Sequence, residues 1–219
     1  MISKILKSAV NIDSRSSDAP GKLKLIEALK HLLDEKDFNS ITTAEIAKTA
    51  NANEALIYWH FQDKRGLLHQ VLREYLQEHM ALLHTELKKI TDPLEKLKKL
   101  MWLSFDIWNK NTIYAKIILI EVRSFPGYFE SESYMIVRNY AGLIKQIVSE
   151  GMKKGEIRDD IPSSFIRDLI LGGIEHYVLP ALIFNRKISP DTYTEYLSKI
   201  LFEGILIQKK QITPKEKKT

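Results

Sequence analysis

Apolar residues recur at spacings of three and four along nearly the whole chain, the period of helices with one buried face. The first such run covers 22–36, with Leu25, Ala28, Leu29, Leu32 and Leu33 on one side. Short runs follow at 43–50 (Ile46, Ala47, Ala50) and 54–60 (Ile57, leading to Phe61), with Phe38 and Ile41 between them and the first helix. A long one covers 64–90, where Leu67, Leu68, Val71, Leu72, Leu76, Met80, Leu83 and Leu87 keep the pattern. At ~1.5 Å per residue it extends about 40 Å, enough to join a small head to a separate body. Asp92-Pro93 then stops one helix and starts the next, with proline at the first helical position. Further helices are predicted over 94–109, 113–122, 133–154, 162–185 and 190–210, with a break at Asn109-Lys110-Asn111, a loop at 124–127 and a stop at Gly155. The pattern predicts an all-α chain of nine helices, with no strand and no internal repeat.

Residues 43–61, TAEIAKTANANEALIYWHF, form the densest local signal. Thr43 is the expected N-cap of the first short helix and Asn53 of the second. Asn51 sits where a left-handed residue is needed, a conformation asparagine tolerates. Ala44, Ala47, Ala50, Ala52 and Ala55 allow close approach of the two helices. This is a helix-turn-helix in outline, whose second helix enters the major groove of DNA. With Ile57 and Phe61 holding the inner face, Trp59 is left outside, and a DNA backbone or base edge is its natural cover.

The segment ITTAEIAKTANANEALIYWHFQDKRGLL resembles the DNA-binding segment of the TetR family of transcriptional regulators, through Thr42, Thr43, Ile46, Ala47, Ile57, Tyr58, His60, Phe61, Lys64, Leu67 and Leu68. The resemblance implies a three-helix DNA-binding head on a six-helix ligand-binding and dimerisation body. It implies phosphate contacts from Thr43, Tyr58, His60 and Lys64. Base-reading positions fall on Ala44, Glu54 and Ala55, where more polar readers are common in the family. Glutamate accepts from cytosine N4 and alanine packs on a thymine methyl, but Glu54 equally suits the positive end of a helix dipole.

Charge alters this picture little. The net +5 hides a head that is nearly neutral, because residues 1–65 carry ten Lys/Arg against nine Asp/Glu, while the tail from Lys209 carries five Lys and one Glu. DNA binding must therefore rest on local placement. The chain divides into a Ser-rich arm (1–21, with Lys4, Lys7 and Arg15), the head (22–66), the body (67–210) and a basic tail (211–219). With no cysteine there is no disulfide or thiolate chemistry. No stretch has the ~18 apolar residues of a membrane span and none reads as a signal peptide, so a cytoplasmic location is expected. No phosphate loop, dinucleotide fingerprint or H-E-x-x-H motif occurs, so neither enzyme activity nor a cofactor or metal is expected.

The body carries two further signals. Residues 163–185 are almost continuously apolar around Gly172-Gly173, and with the last helix (Tyr193, Leu197, Ile200, Leu201, Ile205, Leu206) they suggest a symmetric homodimer interface. Two heads presenting to half-sites about 34–36 Å apart require such a pair. Trp102, Phe105, Trp108, Tyr114, Ile118, Phe125, Tyr128 and Tyr177 suggest an aromatic-lined effector site, with Glu121, Arg123, Glu175 and His176 as polar groups. The alternative is that these aromatics are simply core. The stretch ILIEVRSFPGYFES is similar to TetR-type regulators of fatty-acid metabolism, which implies an acyl-CoA or another long apolar effector. The expected function is a dimeric repressor released from double-stranded operator DNA by a small apolar effector. The alternative is a helical binding module whose head no longer binds DNA specifically.

Overall fold

The computed structural model describes residues 20–205. The basic tail, the end of the last helix and all but the final two residues of the expected arm lie outside the described residues. Those two residues are helical: α1 is Pro20–Glu35, with proline in its first turn, where no amide partner is needed. A 3-10 turn at Phe38–Ser40 leads to α2 (Thr43–Thr49) and α3 (Ala55–Phe61). Then come α4 (Lys64–Leu87), α5 (Pro93–Lys110), α6 (Thr112–Lys116), α7 (Glu132–Lys153), α8 (Ser163–Ile183) and α9 (Pro190–Ile205). Among the described residues these nine α-helices are accompanied by no β-strand.

Helix starts follow local chemistry. Asp63 accepts from the Gly66 amide at 2.7 Å, Asp92 from that of Glu95 at 2.8 Å, and Ser131 from that of Tyr134 at 3.2 Å. Gly155, at φ 70°, ends the run after α7. The helix expected over 113–122 is different. After α6 the backbone winds as a π turn, Ile117–Glu121, and tightens to a 3-10 turn, Val122–Ser124. The wider turn accommodates an extra residue, and Ile117, Ile118 and Leu119 are all buried in succession.

The chain divides into two compact units between Tyr75 and Leu76, within α4. The first has its own core of Leu25, Leu29, Leu33, Phe38, Ile46, Ile57, Leu68 and Leu72, all essentially inaccessible. The second is built around Leu97, Leu100, Met101, Phe105, Ile144, Val148, Ile170, Ile174 and Val178. In α8 the buried residues Ile166, Ile170, Ile174 and Val178 take one face. Phe165, Leu169 and Ile183 stand exposed on another, so its continuous apolarity serves two surfaces. Gly173 lies so close to α9 that a Cβ would meet Leu197 Cδ1 at 2.7 Å, whereas the same atom on Gly172 would meet nothing.

Candidate functional site

The head is a helix-turn-helix whose turn has the expected geometry. Asn51 takes φ 48°, and the Asn53 side chain accepts from the Ala55 amide at 2.9 Å. The first cap is Thr42 and not Thr43: Thr42 Oγ1 accepts from the Glu45 amide at 3.1 Å. Thr42 has extended backbone, as a cap requires, while Thr43 is already helical. Glu45 completes the turn by pairing with Lys36 at 2.5 Å.

On α3, Ile57 and Phe61 are buried, and the helix packs against α1. Tyr58 is 54% exposed and Trp59 82% exposed. Neither Ala44 nor Ala55 is covered, and Thr43, Glu54 and His60 are half-buried. The His60 ring meets Phe61 edge-on, with centroids 6.0 Å apart. Lys64 departs from its expected role. Its ammonium donates to Phe38 O at 3.0 Å and Ile41 O at 2.6 Å, and lies 4.3 Å from the Phe38 ring centroid. Burial, with the Arg65 charge beside it, lowers its pKa. The charge thus braces the turn between α1 and α2 from inside the head. Lys48 is exposed in a groove that also contains Thr42 and Ala44, a cation that periodicity alone did not single out.

In the body the expected aromatics separate into distinct groups. Phe105 is fully buried, with Tyr177 and Tyr193 edge-on to it at 6.4 and 5.6 Å between centroids. It is a core ring and lines no open wall. Tyr128 is likewise buried, against Phe129 and Tyr134 at 5.3 Å each. Trp102 is tied elsewhere, its Nε1 donating to Asp191 at 2.7 Å with the Lys99 ammonium 4.9 Å from its ring. Trp108 packs at the margin of the core. Tyr114, Glu121 and Phe125 are half-buried, and Ile118 is buried. His176 was expected among the effector-binding groups, yet it is exposed. It follows Leu169 by seven residues, which puts it on the outward face of α8.

Polar groups in the body are ordered. Arg123 and Glu175 form a two-pronged ion pair, at 2.6 and 3.1 Å, which raises the Arg123 pKa. Half-buried Tyr140 shares a 2.7 Å hydrogen bond with buried Ser104, and desolvation of its hydroxyl pushes the phenol well above the ordinary range. Burial also raises the Tyr128 pKa.

Residues 25–71 match the family described as bacterial regulatory proteins, tetR family, and residues 72–204 match the C-terminal region of YsiA-like proteins. The chain belongs to the TetR family. It is a transcriptional regulator and not an enzyme. A fatty acid metabolism regulator protein of Bacillus subtilis is 21% identical over 186 residues, covering 85% of this chain and 96% of that one. An HTH-type transcriptional regulator of Staphylococcus aureus is 27% identical over 196 residues, with 86% and 96% covered. The crystal structure of the regulator FadR from Bacillus subtilis in complex with stearoyl-CoA superposes with a TM-score of 0.74 at 21% identity, covering 84% and 98%. For this TetR-family chain, that likeness shows the all-α fold. No helix among the described residues is long and apolar enough to cross a membrane.

Proposed function

We propose that this TetR-family regulator is a homodimeric, cytoplasmic repressor that binds operator DNA through α2 and α3 and leaves it when a small, largely apolar effector binds the body. The observation that carries the DNA reading is Trp59, a large apolar ring held 82% in solvent on a helix anchored from behind by Ile57 and Phe61. Exposed Tyr58, Ala44 and Ala55 share the recognition elements, and Thr43, Glu54 and His60 lie at their edges. In this reading Lys48 supplies the phosphate charge first expected of Lys64.

The pairing of two copies is supported by the outward faces of α8 and α9. Phe165, Leu169, Ile183, Tyr196 and Ile200 are all exposed there, and scattered exposed aliphatics do not form such a set on adjacent helices. The effector reading is supported by the aromatic content of the body and by the stearoyl-CoA in the FadR complex. Effector binding lowers operator affinity only if it prefers the conformation in which the two heads misfit the half-sites.

Trp59→Ala tests the DNA contact. Because the ring is exposed, thermal stability should stay within about 0.5 kcal/mol of the parent. Binding to a DNA fragment from upstream of the gene, measured by gel shift, should weaken at least about tenfold, or 1.4 kcal/mol. Unchanged binding by the variant, or no specific band with the parent at low salt, removes the proposal.

A further inference from the structure

Arg123 and Glu175 lie 52 residues apart in sequence and meet side by side, Nη2 donating to Oε1 at 2.6 Å and Nη1 to Oε2 at 3.1 Å. Arg123 sits in the 3-10 turn that ends the π-wound segment, and Glu175 is on α8. Around them the phenols of Tyr128 and Tyr134 feel the guanidinium charge. The Glu175 charge is felt by Tyr140, whose hydroxyl bonds Ser104 in the interior. The pair therefore stands at a rim. Its outer side is wet, the two side chains being 41% and 32% exposed, while the neighbouring Tyr128 ring is buried.

An ion pair this wet adds little net stability. Its fork geometry nonetheless defines a receptor, since a guanidinium presents two parallel N–H groups to any carboxylate or phosphate. We propose that Arg123 anchors the acidic headgroup, carboxylate or phosphate, of an amphiphilic effector, and that this headgroup binds by exchanging with Glu175. The inference rests on the effector reading above and specifies which end of the ligand the body recognises. Exchange leaves both guanidinium N–H groups satisfied and moves the Glu175 carboxylate into water it already touches. The apolar tail then lies against the aromatic side of the rim.

Exchange also has a mechanical result. The ion pair is a side-chain tie between the π-wound segment and α8, and α8 bears the outward face assigned to pairing. A headgroup on Arg123 cuts that tie, so occupancy is felt by the helix that sets the geometry of the pair.

The full-length protein is titrated with stearic acid, stearoyl-CoA and stearyl alcohol, each below its micelle concentration, following tryptophan fluorescence. The parent should favour the acid or the thioester over the alcohol by tenfold or more. Preference for the acid alone identifies a carboxylate ligand, and preference for the thioester alone a phosphate-bearing one. Arg123→Gln should erase the preference while leaving alcohol affinity within twofold, and Arg123→Lys should retain part of it. Glu175→Gln should tighten the acidic ligand several-fold and lower the concentration that releases DNA. If Arg123→Gln fails to fold by circular dichroism, the Glu175→Gln result decides alone. A preference that survives Arg123→Gln, or an acid affinity unchanged or weakened by Glu175→Gln, overturns the exchange. Equal binding of all three ligands overturns it while leaving the effector reading intact. Binding of none overturns both.

Discussion

Two glycines show how the identity of a neighbouring atom decides the cost of one methyl group. A Cβ on Gly66 would lie 1.9 Å from the Phe61 carbonyl oxygen, a backbone atom held by the end of α3. Gly66 also donates to Asp63 at the start of α4, so neither side can retreat. Gly66→Ala should therefore destabilise the head by at least about 3 kcal/mol, the upper part of the overpacking range. Thermal unfolding should show the loss, and operator binding should fall with it. Gly173→Ala meets only the Leu197 side chain, Cδ1 at 2.7 Å and Cδ2 at 3.3 Å, whose flexible end can shift where a backbone carbonyl cannot. Alanine's helix preference of about 1 kcal/mol over glycine offsets the adjustment, so the melting temperature should barely move. Equal effects from the two substitutions would refute this account. Lys64 makes a related point: its place in the sequence suggests a surface cation, and only folding brings it under the carbonyls of Phe38 and Ile41.

At the scale of elements, α2 depends on its first turn. Seven residues make too short a helix to persist alone, so caps and packing must hold it. Thr42 supplies the cap, and Thr42→Ala should cost about 1 kcal/mol in urea unfolding. Thr43→Ala should cost less, since the Thr43 hydroxyl makes no cap. A larger loss from Thr43→Ala than from Thr42→Ala would reverse the assignment. The starts of α5 and α8 and the end of α7 were legible because aspartate, proline and glycine act on adjacent backbone, whereas α1 begins two residues before its expected start, at Pro20. The π turn at 117–121 was not, because its winding reflects which side chains the rest of the body buries. Pro180, inside α8, leaves the His176 carbonyl without its helical donor, again at the outward face.

For the whole molecule the testable quantity is the number of copies. Ile200 is 66% exposed on α9, so Ile200→Glu should leave the fold of one copy intact. In a symmetric pair the substitution places two carboxylates in an apolar interface, where an unpaired charge is strongly unfavourable. Sedimentation velocity at micromolar concentration should show a dimeric parent and a largely monomeric variant with an unchanged circular dichroism spectrum. A parent that sediments as a monomer would remove the paired arrangement.

The sequence by itself determined the helical class, the helix-turn-helix and the exposed Trp59, because these follow from periodicity and from side chains acting on backbone a few residues away. Tertiary structure decided which candidate groups are available. It buried Phe105 and Tyr128, turned Lys64 inward, sent His176 outward and joined Arg123 to Glu175. Each of those outcomes depends on contacts between segments distant in the chain, and no local pattern encodes which distant group a side chain will meet.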